Sequence, residues 1–162
     1  MILSVPKETL LTEKRVAISP DNVSAFKKFG YEVRIESKAG ELANFTDHLY
    51  EQAGAIISDA PFKIWGQADL VLKINPPSNE EVTLLKEGAT LISFAYPARN
   101  EDLLQLLGAQ KINWLAMDCV PRISRAQSMD ALSSMANVAG YRAVVEASHK
   151  FGRFFTGQIT AA

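Results

Sequence analysis

Cysteine is nearly missing from this chain. Cys119 stands alone, so no intramolecular disulfide can form, and the reducing cytosol is the expected compartment. Histidine is almost as scarce: His48 and His149 lie far apart, and with one cysteine they cannot supply a usual zinc ligand set. No two of the nine glycines form a Gly-x-Gly. The dinucleotide fingerprint and the P-loop both need closely spaced glycines, so that backbone N–H groups can approach phosphate, and neither is present. Lysine and arginine form no block, and seventeen basic residues face eighteen acidic ones at a net charge of −1. A nucleic-acid or membrane-surface partner therefore lacks its electrostatic footprint. No run of about 18 uncharged apolar residues occurs, so these residues are not expected to cross a bilayer. The opening Met1-Ile2-Leu3-Ser4-Val5-Pro6-Lys7 is too short an apolar stretch for a signal peptide. A receiver-type phosphorylation site would need an acidic pair after the first strand, where Pro6-Lys7 stands instead.

What is there reads as an α/β domain. Hydrophobic residues make up 48% of 162 positions, enough to bury a core in one globular unit. Strands are predicted at Ile2–Val5, Glu32–Glu36, Ala55–Ile57, Leu70–Ile74, Thr90–Tyr96 and Asn113–Asp118. The apolar runs Leu70-Val71-Leu72 and Leu91-Ile92-Ser93-Phe94-Ala95 are nearly continuous, which implies burial on both faces and a parallel sheet. Helices between them carry readable ends. Ser19-Pro20 opens one that Gly30 stops, and Thr46 or Asp47 caps another that ends near Gly54. Asn79-Glu80-Glu81 places acidic charge at a third helix start. The stripe Leu103, Leu104, Leu106 and Leu107 marks a fourth, closed by Gly108. The expectation is an open, mostly parallel Rossmann/flavodoxin-like sheet with helices on both faces. A long helix from about Met129 to Phe151, roughly 35 Å at 1.5 Å per residue, follows it, with a small-residue stripe of Ala136, Gly140, Ala143 and Ala147. The division expected is 1–128 for the α/β domain and 129–162 for an interdomain helix and tail. The closing run from Phe151 to Ala162 is rich in aromatics for an exposed tail, so the natural protein is expected to continue.

Candidate chemistry concentrates in one loop. Arg122, Ser124, Arg125, Gln127, Ser128, Asp130, Ser133 and Ser134 crowd together after the last predicted strand. In open α/β sheets the carboxyl edge is where ligands sit. Arg122 can donate to a carbonyl or phosphate, Gln127 can donate and accept, and Asp130 can accept from an amide or hydroxyl. Ser128 and Asp130 also suit plain caps for the long helix, with the arginines solvated, and composition alone leans to that plainer reading. His149 at a helix end and His48 on a short amphipathic helix read as surface residues.

The segment from Pro121 to Val144 (PRISRAQSMDALSSMANVAGYRAV) closely resembles the signature of the alpha subunits of proton-translocating NAD(P) transhydrogenases, within the alanine dehydrogenase/transhydrogenase family. The resemblance extends over Val5-Pro6-Lys7-Glu8, Lys14-Arg15-Val16-Ala17, Leu72-Lys73-Ile74-Asn75-Pro76 and the closing Phe154-Phe155-Thr156-Gly157-Gln158-Ile159-Thr160-Ala161-Ala162. It implies hydride transfer between NAD(H) on this subunit and NADP(H) on a partner domain, coupled to proton movement across a membrane. It further implies a second, Rossmann NAD-binding domain of the same subunit, an NADP-binding domain or beta subunit, a membrane-spanning domain and a homodimer. The location implied is the cytoplasmic face of a bacterial inner membrane. Carried over by motif position, Arg122 and Asp130, with Ser133, would hold the nicotinamide carboxamide and nearby ribose. Gln127 would sit between the two nicotinamides as the catalytic positioning group, while Ile123, Ser124, Ser128 and Met129 would add backbone or packing contacts. No metal is implied, and the piece alone is expected to be incomplete and inactive.

Two other readings stand beside this one. Alanine dehydrogenases resemble the chain at Arg15 and Lys73, where that family binds its keto acid. They carry a catalytic histidine where this chain has Tyr96, which leaves no proton shuttle for oxidative deamination. A salt link or a phosphate-free polar contact is then the expected role of Arg15 and Lys73. A non-catalytic α/β interaction module is the remaining alternative for the isolated piece.

Overall fold

The computed structural model describes residues 1–153. The chain divides into two compact units, Met1–Cys119 and Val120–Ala162. In the first, β1 (Ile2–Val5), β2 (Glu32–Glu36), β3 (Ile56–Ser58), β4 (Leu70–Leu72), β5 (Thr90–Ser93) and β6 (Asn113–Ala116) form a sheet of order β3-β2-β1-β4-β5-β6. Every pairing is parallel. Between them lie α1 (Pro20–Lys28), α2 (Asp47–Gln52), α3 (Asn79–Leu84) and α4 (Glu101–Ala109).

Register assigns the faces. Leu3 pairs with Val33 and Leu70, and Val5 with Ile35, so these side chains share one face. There they pack with Val23 of α1 and Tyr50 of α2 in a single buried cluster. Val71 pairs with Leu91, and Leu91 with Trp114, on the opposite face. These meet Val82 of α3, Leu103 and Leu107 of α4, and Ile64 and Trp65 of a π-turn at Phe62–Gly66. Helices therefore cover both faces, as the continuous apolar runs require. Tyr50 is fully buried, and its hydroxyl donates to the Ile18 carbonyl at 2.8 Å. Burial pushes that phenol up to about 12.

The helix ends follow the sequence in part. Pro20 opens α1, but the Ser19 side chain accepts no backbone N–H; its hydroxyl accepts from Asn22 instead. Gly30 at φ +87° and Gly54 at φ +90° make the turns into β2 and β3, a region open to glycine without steric cost. Thr46, not Asp47, caps α2. Asp47 turns back to bind the Ser37 hydroxyl and the Lys38 amide. Ser78 and Glu81 build a reciprocal capping box on α3. Gly108 does not close α4, which continues to Ala109; the chain reverses at Lys111, φ +57°.

In the second unit a 3-10 segment, Ser124–Met129, precedes α5 (Ala131–Phe151). Asp130 is the N-cap of α5, and Gly152 at φ +70° is its C-cap. Its residues from Ser133 to Phe151 are exposed, the small-residue stripe among them. An Arg142–Glu146 ion pair one turn apart spans its surface. Among the described residues no helix is long and apolar enough to cross a membrane. The closing motif from Phe154 to Ala162 lies outside the described residues.

Candidate functional site

Two places concentrate polar chemistry, one in each unit. The first is the point where the strand order reverses, between β1 and β4, the usual ligand crevice of a doubly wound sheet. Lys73 follows β4 with its side chain 1% exposed. Its ammonium sits 2.9 Å from Glu81 and 3.9 Å from Glu8, and 5.4 Å from the centre of the Trp65 ring. Glu8, in the loop after β1, accepts from the Ile74 amide at 2.7 Å and from Asn75. Asn75 also donates to Glu13 at 3.0 Å. Glu13 in turn holds Arg15 through Nε at 2.7 Å and Nη2 at 2.6 Å. Hydrogen bonding from Arg15 carries the Glu13 carboxyl from 4.5 down to about 2, and the same contact raises Arg15. The salt link expected of Arg15 and Lys73 is thus present. Sequence reading joined none of Glu8, Glu13, Asn75 and Glu81 to this site: Glu8 and Asn75 meet across 67 positions, while Glu13 and Glu81 lie two and eight positions from Arg15 and Lys73 in segments without a diagnostic spacing.

Tyr96 stands after β5 with its ring stacked on Phe94, centroids 5.9 Å apart.

The second place is the polar loop of the Val120 unit. Arg122, Ile123, Ser124, Gln127, Asp130 and Ser133 line one concavity of about 320 Å³. Local geometry explains how they converge. The Ala126 amide bonds the Ile123 carbonyl, and the Asp130 amide bonds the Gln127 carbonyl. These tight turns fold the segment so that positions 122, 123, 124 and 127 face the first turn of α5. Asp130 accepts from the Ser133 amide at 2.9 Å and from its hydroxyl at 2.5 Å. Those bonds, the hydroxyl's foremost, hold the Asp130 carboxyl below its ordinary range, and Arg122 adds a favourable charge. Ser128 and Met129 do not line the concavity, and Met129 is exposed. Both readings of Asp130 meet here, since the helix cap also borders the hollow.

The donor set at this loop is open. Among the described residues, the side chains of Arg122, Ser124, Gln127 and Ser128 make no hydrogen bond, so a planar guanidinium and a carboxamide stand ready for a polar ligand. No group of three or more His, Cys, Asp or Glu side chains there or elsewhere among the described residues could hold a metal. His48 and His149 are exposed.

Residues 4–139 match the family model for the alanine dehydrogenase/PNT N-terminal domain. The NAD(P) transhydrogenase subunit alpha of Haemophilus influenzae is 53% identical over 162 residues, all of this chain and 31% of that protein. The crystal structure of transhydrogenase from Sinorhizobium meliloti superimposes with a TM-score of 0.89 at 37% identity, covering 99% of this chain and 48% of that one. Alanine dehydrogenase 2 of Staphylococcus aureus is 35% identical over 140 residues, or 86% of this chain and 37% of that protein. The chain thus spans less than half the length of each of these proteins.

Proposed function

The chain belongs to the alanine dehydrogenase/PNT family, of which it carries the N-terminal domain, and from that premise we propose that it is the N-terminal part of the NAD(H)-binding component of a proton-translocating NAD(P) transhydrogenase. In the complete protein, α5 leads into a Rossmann domain that grips NAD(H). NADP(H) is held on a partner domain or beta subunit, membrane spans lie in another part of the complex, and the subunit is a dimer at the cytoplasmic face of a bacterial inner membrane.

The observation that carries this reading is the concavity at Arg122, Ile123, Ser124, Gln127, Asp130 and Ser133, lined by six of the residues that the family motif assigns to the nicotinamide. The residues fit the cofactor by donor chemistry, because Arg122 and Gln127 offer uncommitted donors and Asp130 offers an acceptor. NAD(H), when bound, supplies the hydride. The work left to this chain is orientation. Arg122 would donate to the carboxamide oxygen, and Asp130, fixed by Ser133, would accept from the carboxamide nitrogen or a ribose hydroxyl. Gln127 would help to bring the two nicotinamides together. Direct hydride transfer needs no nucleophile and no general base, only near-contact geometry, and this loop contains no titratable base tuned for proton transfer. Alanine dehydrogenase chemistry is disfavoured by Tyr96, which occupies the position of the proton-shuttling histidine.

The test is Gln127→Asn in the complete enzyme. Shortening the side chain by one methylene should cut the single-turnover hydride-transfer rate at least tenfold while NADH affinity changes less than about threefold. Transfer at the unmodified rate would remove Gln127 from the mechanism.

A further inference from the structure

The 3-10 segment Ser124–Met129 completes a turn in about three residues, so side chains three apart share a side. Ser124 and Gln127 make the side that lines the hollow. Ala126 starts a second side and is buried. Arg125 and Ser128 form the third; both are exposed and neither borders the hollow. Arg125 makes no hydrogen bond, ion pair or ring contact among the described residues. The nicotinamide reading leaves this cation without a task.

Its own unit holds no spare acid to answer it. The acidic side chains of Val120–Ala162 are Asp130 and Glu146 alone, against Arg122, Arg125, Arg142, Lys150 and Arg153. Asp130 is engaged by Ser133, and Glu146 by Arg142. This unit therefore carries an excess of three positive charges in a chain whose net charge is −1, with a hydrated guanidinium two positions from Gln127.

Direct hydride transfer brings two nicotinamides to near contact, so the domain that carries NADP(H) must close on this loop. Closure strips water from groups beside the transfer point. A guanidinium desolvated without a counter-ion is strongly unfavourable, so a partner that meets Arg125 must bring an anion to it. The planar fork fits a carboxylate through two parallel hydrogen bonds. Resting on the transhydrogenase reading above, we propose that the Arg125 side of the loop is a docking surface for an acidic patch on the NADP(H)-binding partner, with Arg125 paired to a carboxylate there. Charges at the rim of an interface act chiefly on the rate of encounter and on its salt dependence.

The experiment titrates the complete subunit with its NADP(H)-binding beta subunit, at saturating NADH and NADP(H), and reads both direct association and hydride transfer. At low salt Arg125→Ala should weaken association at least fivefold and Arg125→Glu at least tenfold, while Arg125→Lys stays within about threefold because the charge is kept. The gap between Arg125→Ala and the unmodified subunit should shrink below about twofold at about 0.5 M salt, where charges are screened within a few ångströms. NADH affinity and the single-turnover rate in the assembled complex should be unchanged. A merely structural role would not respond to salt, so a loss equal at both salt concentrations overturns the proposal, as does unchanged association. A raised KM for NADPH with unchanged subunit association would assign Arg125 to a phosphate of the nucleotide and overturn the carboxylate partner. If the unmodified complex moves no hydride, the functional reading fails, and the association measurement still decides whether Arg125 docks an acidic partner.

Discussion

Replacing Lys73 with methionine removes one cation from an almost water-free setting. Its side chain is 1% exposed, with Glu8 at 5% and Glu81 at 12%. Methionine fills most of the same volume and still packs on Trp65, so cavity effects are small and the electrostatic change dominates. Two carboxylates would then share a buried site without their counter-ion. Breaking a buried pair by removing one partner costs about 3–5 kcal/mol, of which the lost cation–π contact accounts for about 1 kcal/mol. A domain of this size has only about 5–15 kcal/mol in hand. At about 2–4 °C per kcal/mol, the midpoint of thermal unfolding should drop by roughly 6–20 °C. The companion variant Lys73→Met with Glu81→Gln removes the uncompensated charge as well, and should recover at least half of the loss. The assay is urea and thermal unfolding followed by the fluorescence of Trp65 and Trp114, the chain's two tryptophans, both in the Met1–Cys119 unit. A cost below about 1 kcal/mol for Lys73→Met would match a solvent-screened surface pair and refute the picture of a saturated buried network.

Acid should act through Glu13. Its folded-state value of about 2 lies below the ordinary 4.5, so its contribution is full above 4.5 and is lost as pH falls toward 2. The stability gap between the unmodified chain and Glu13→Gln should therefore close across that window; a gap independent of pH would count against the Arg15 contact. The effect is modest, because Arg15 is 40% exposed. Tyr50→Phe should cost about 1–2 kcal/mol by leaving the Ile18 carbonyl unpaired in the core, read by urea titration, and a neutral outcome would mean that water reaches that carbonyl. Because burial lifts the Tyr50 phenol to about 12, its share of stability should be full below 10 and fade as pH rises to 12. Asp130→Ala should speed amide exchange in the first turn of α5, since it removes both bonds to Ser133; undiminished protection there would mean that the helix starts without its cap.

The sheet was readable because its causes are local. The β-branched runs at Ile2–Val5 and Glu32–Glu36 begin and end where expected, between turn signals that are themselves short-range. Strands β4, β5 and β6 end earlier than expected, at Leu72, Ser93 and Ala116. At β4 and β5 the backbone leaves the ladder for a tertiary reason. After β4 the Ile74 and Asn75 amides turn to Glu8, and after β5 the Ala95 and Tyr96 amides turn to Asp118. No periodicity records a carboxylate arriving from 66 positions away. The end of α4 was misread for a related reason: Gly108 looks like a stop, yet the Lys111 amide bonds the Gly108 carbonyl and the reversal falls on the lysine. The polar loop was legible as a cluster, and six of its residues line one concavity, Ser128 and Met129 standing outside it. Which of its two uses prevails, helix cap or ligand contact, could not be read from spacing, because Asp130 is placed for both.

The two polar places differ in a way that assigns them different work. At the β1–β4 reversal the charged groups answer one another: Lys73 faces Glu81 and Glu8, Arg15 faces Glu13, and Asn75 bridges the two acids. A buried polar network of this kind contributes stability only when its members are satisfied, so a ligand entering there would have to break existing bonds before making its own. At the loop the balance is reversed. The Arg122 and Gln127 side chains are exposed and make no hydrogen bonds among the described residues, so a ligand displaces only water from them. Exposure also means weak affinity per contact, since each new hydrogen bond replaces one to solvent. On the proposed reading the loop would orient a nicotinamide that another domain binds, without capturing one alone. Titrating NADH into these 162 residues should accordingly give no micromolar binding by fluorescence, whereas the complete subunit should bind. Micromolar affinity in the short chain would place the main grip on NAD(H) within it and overturn this division of labour.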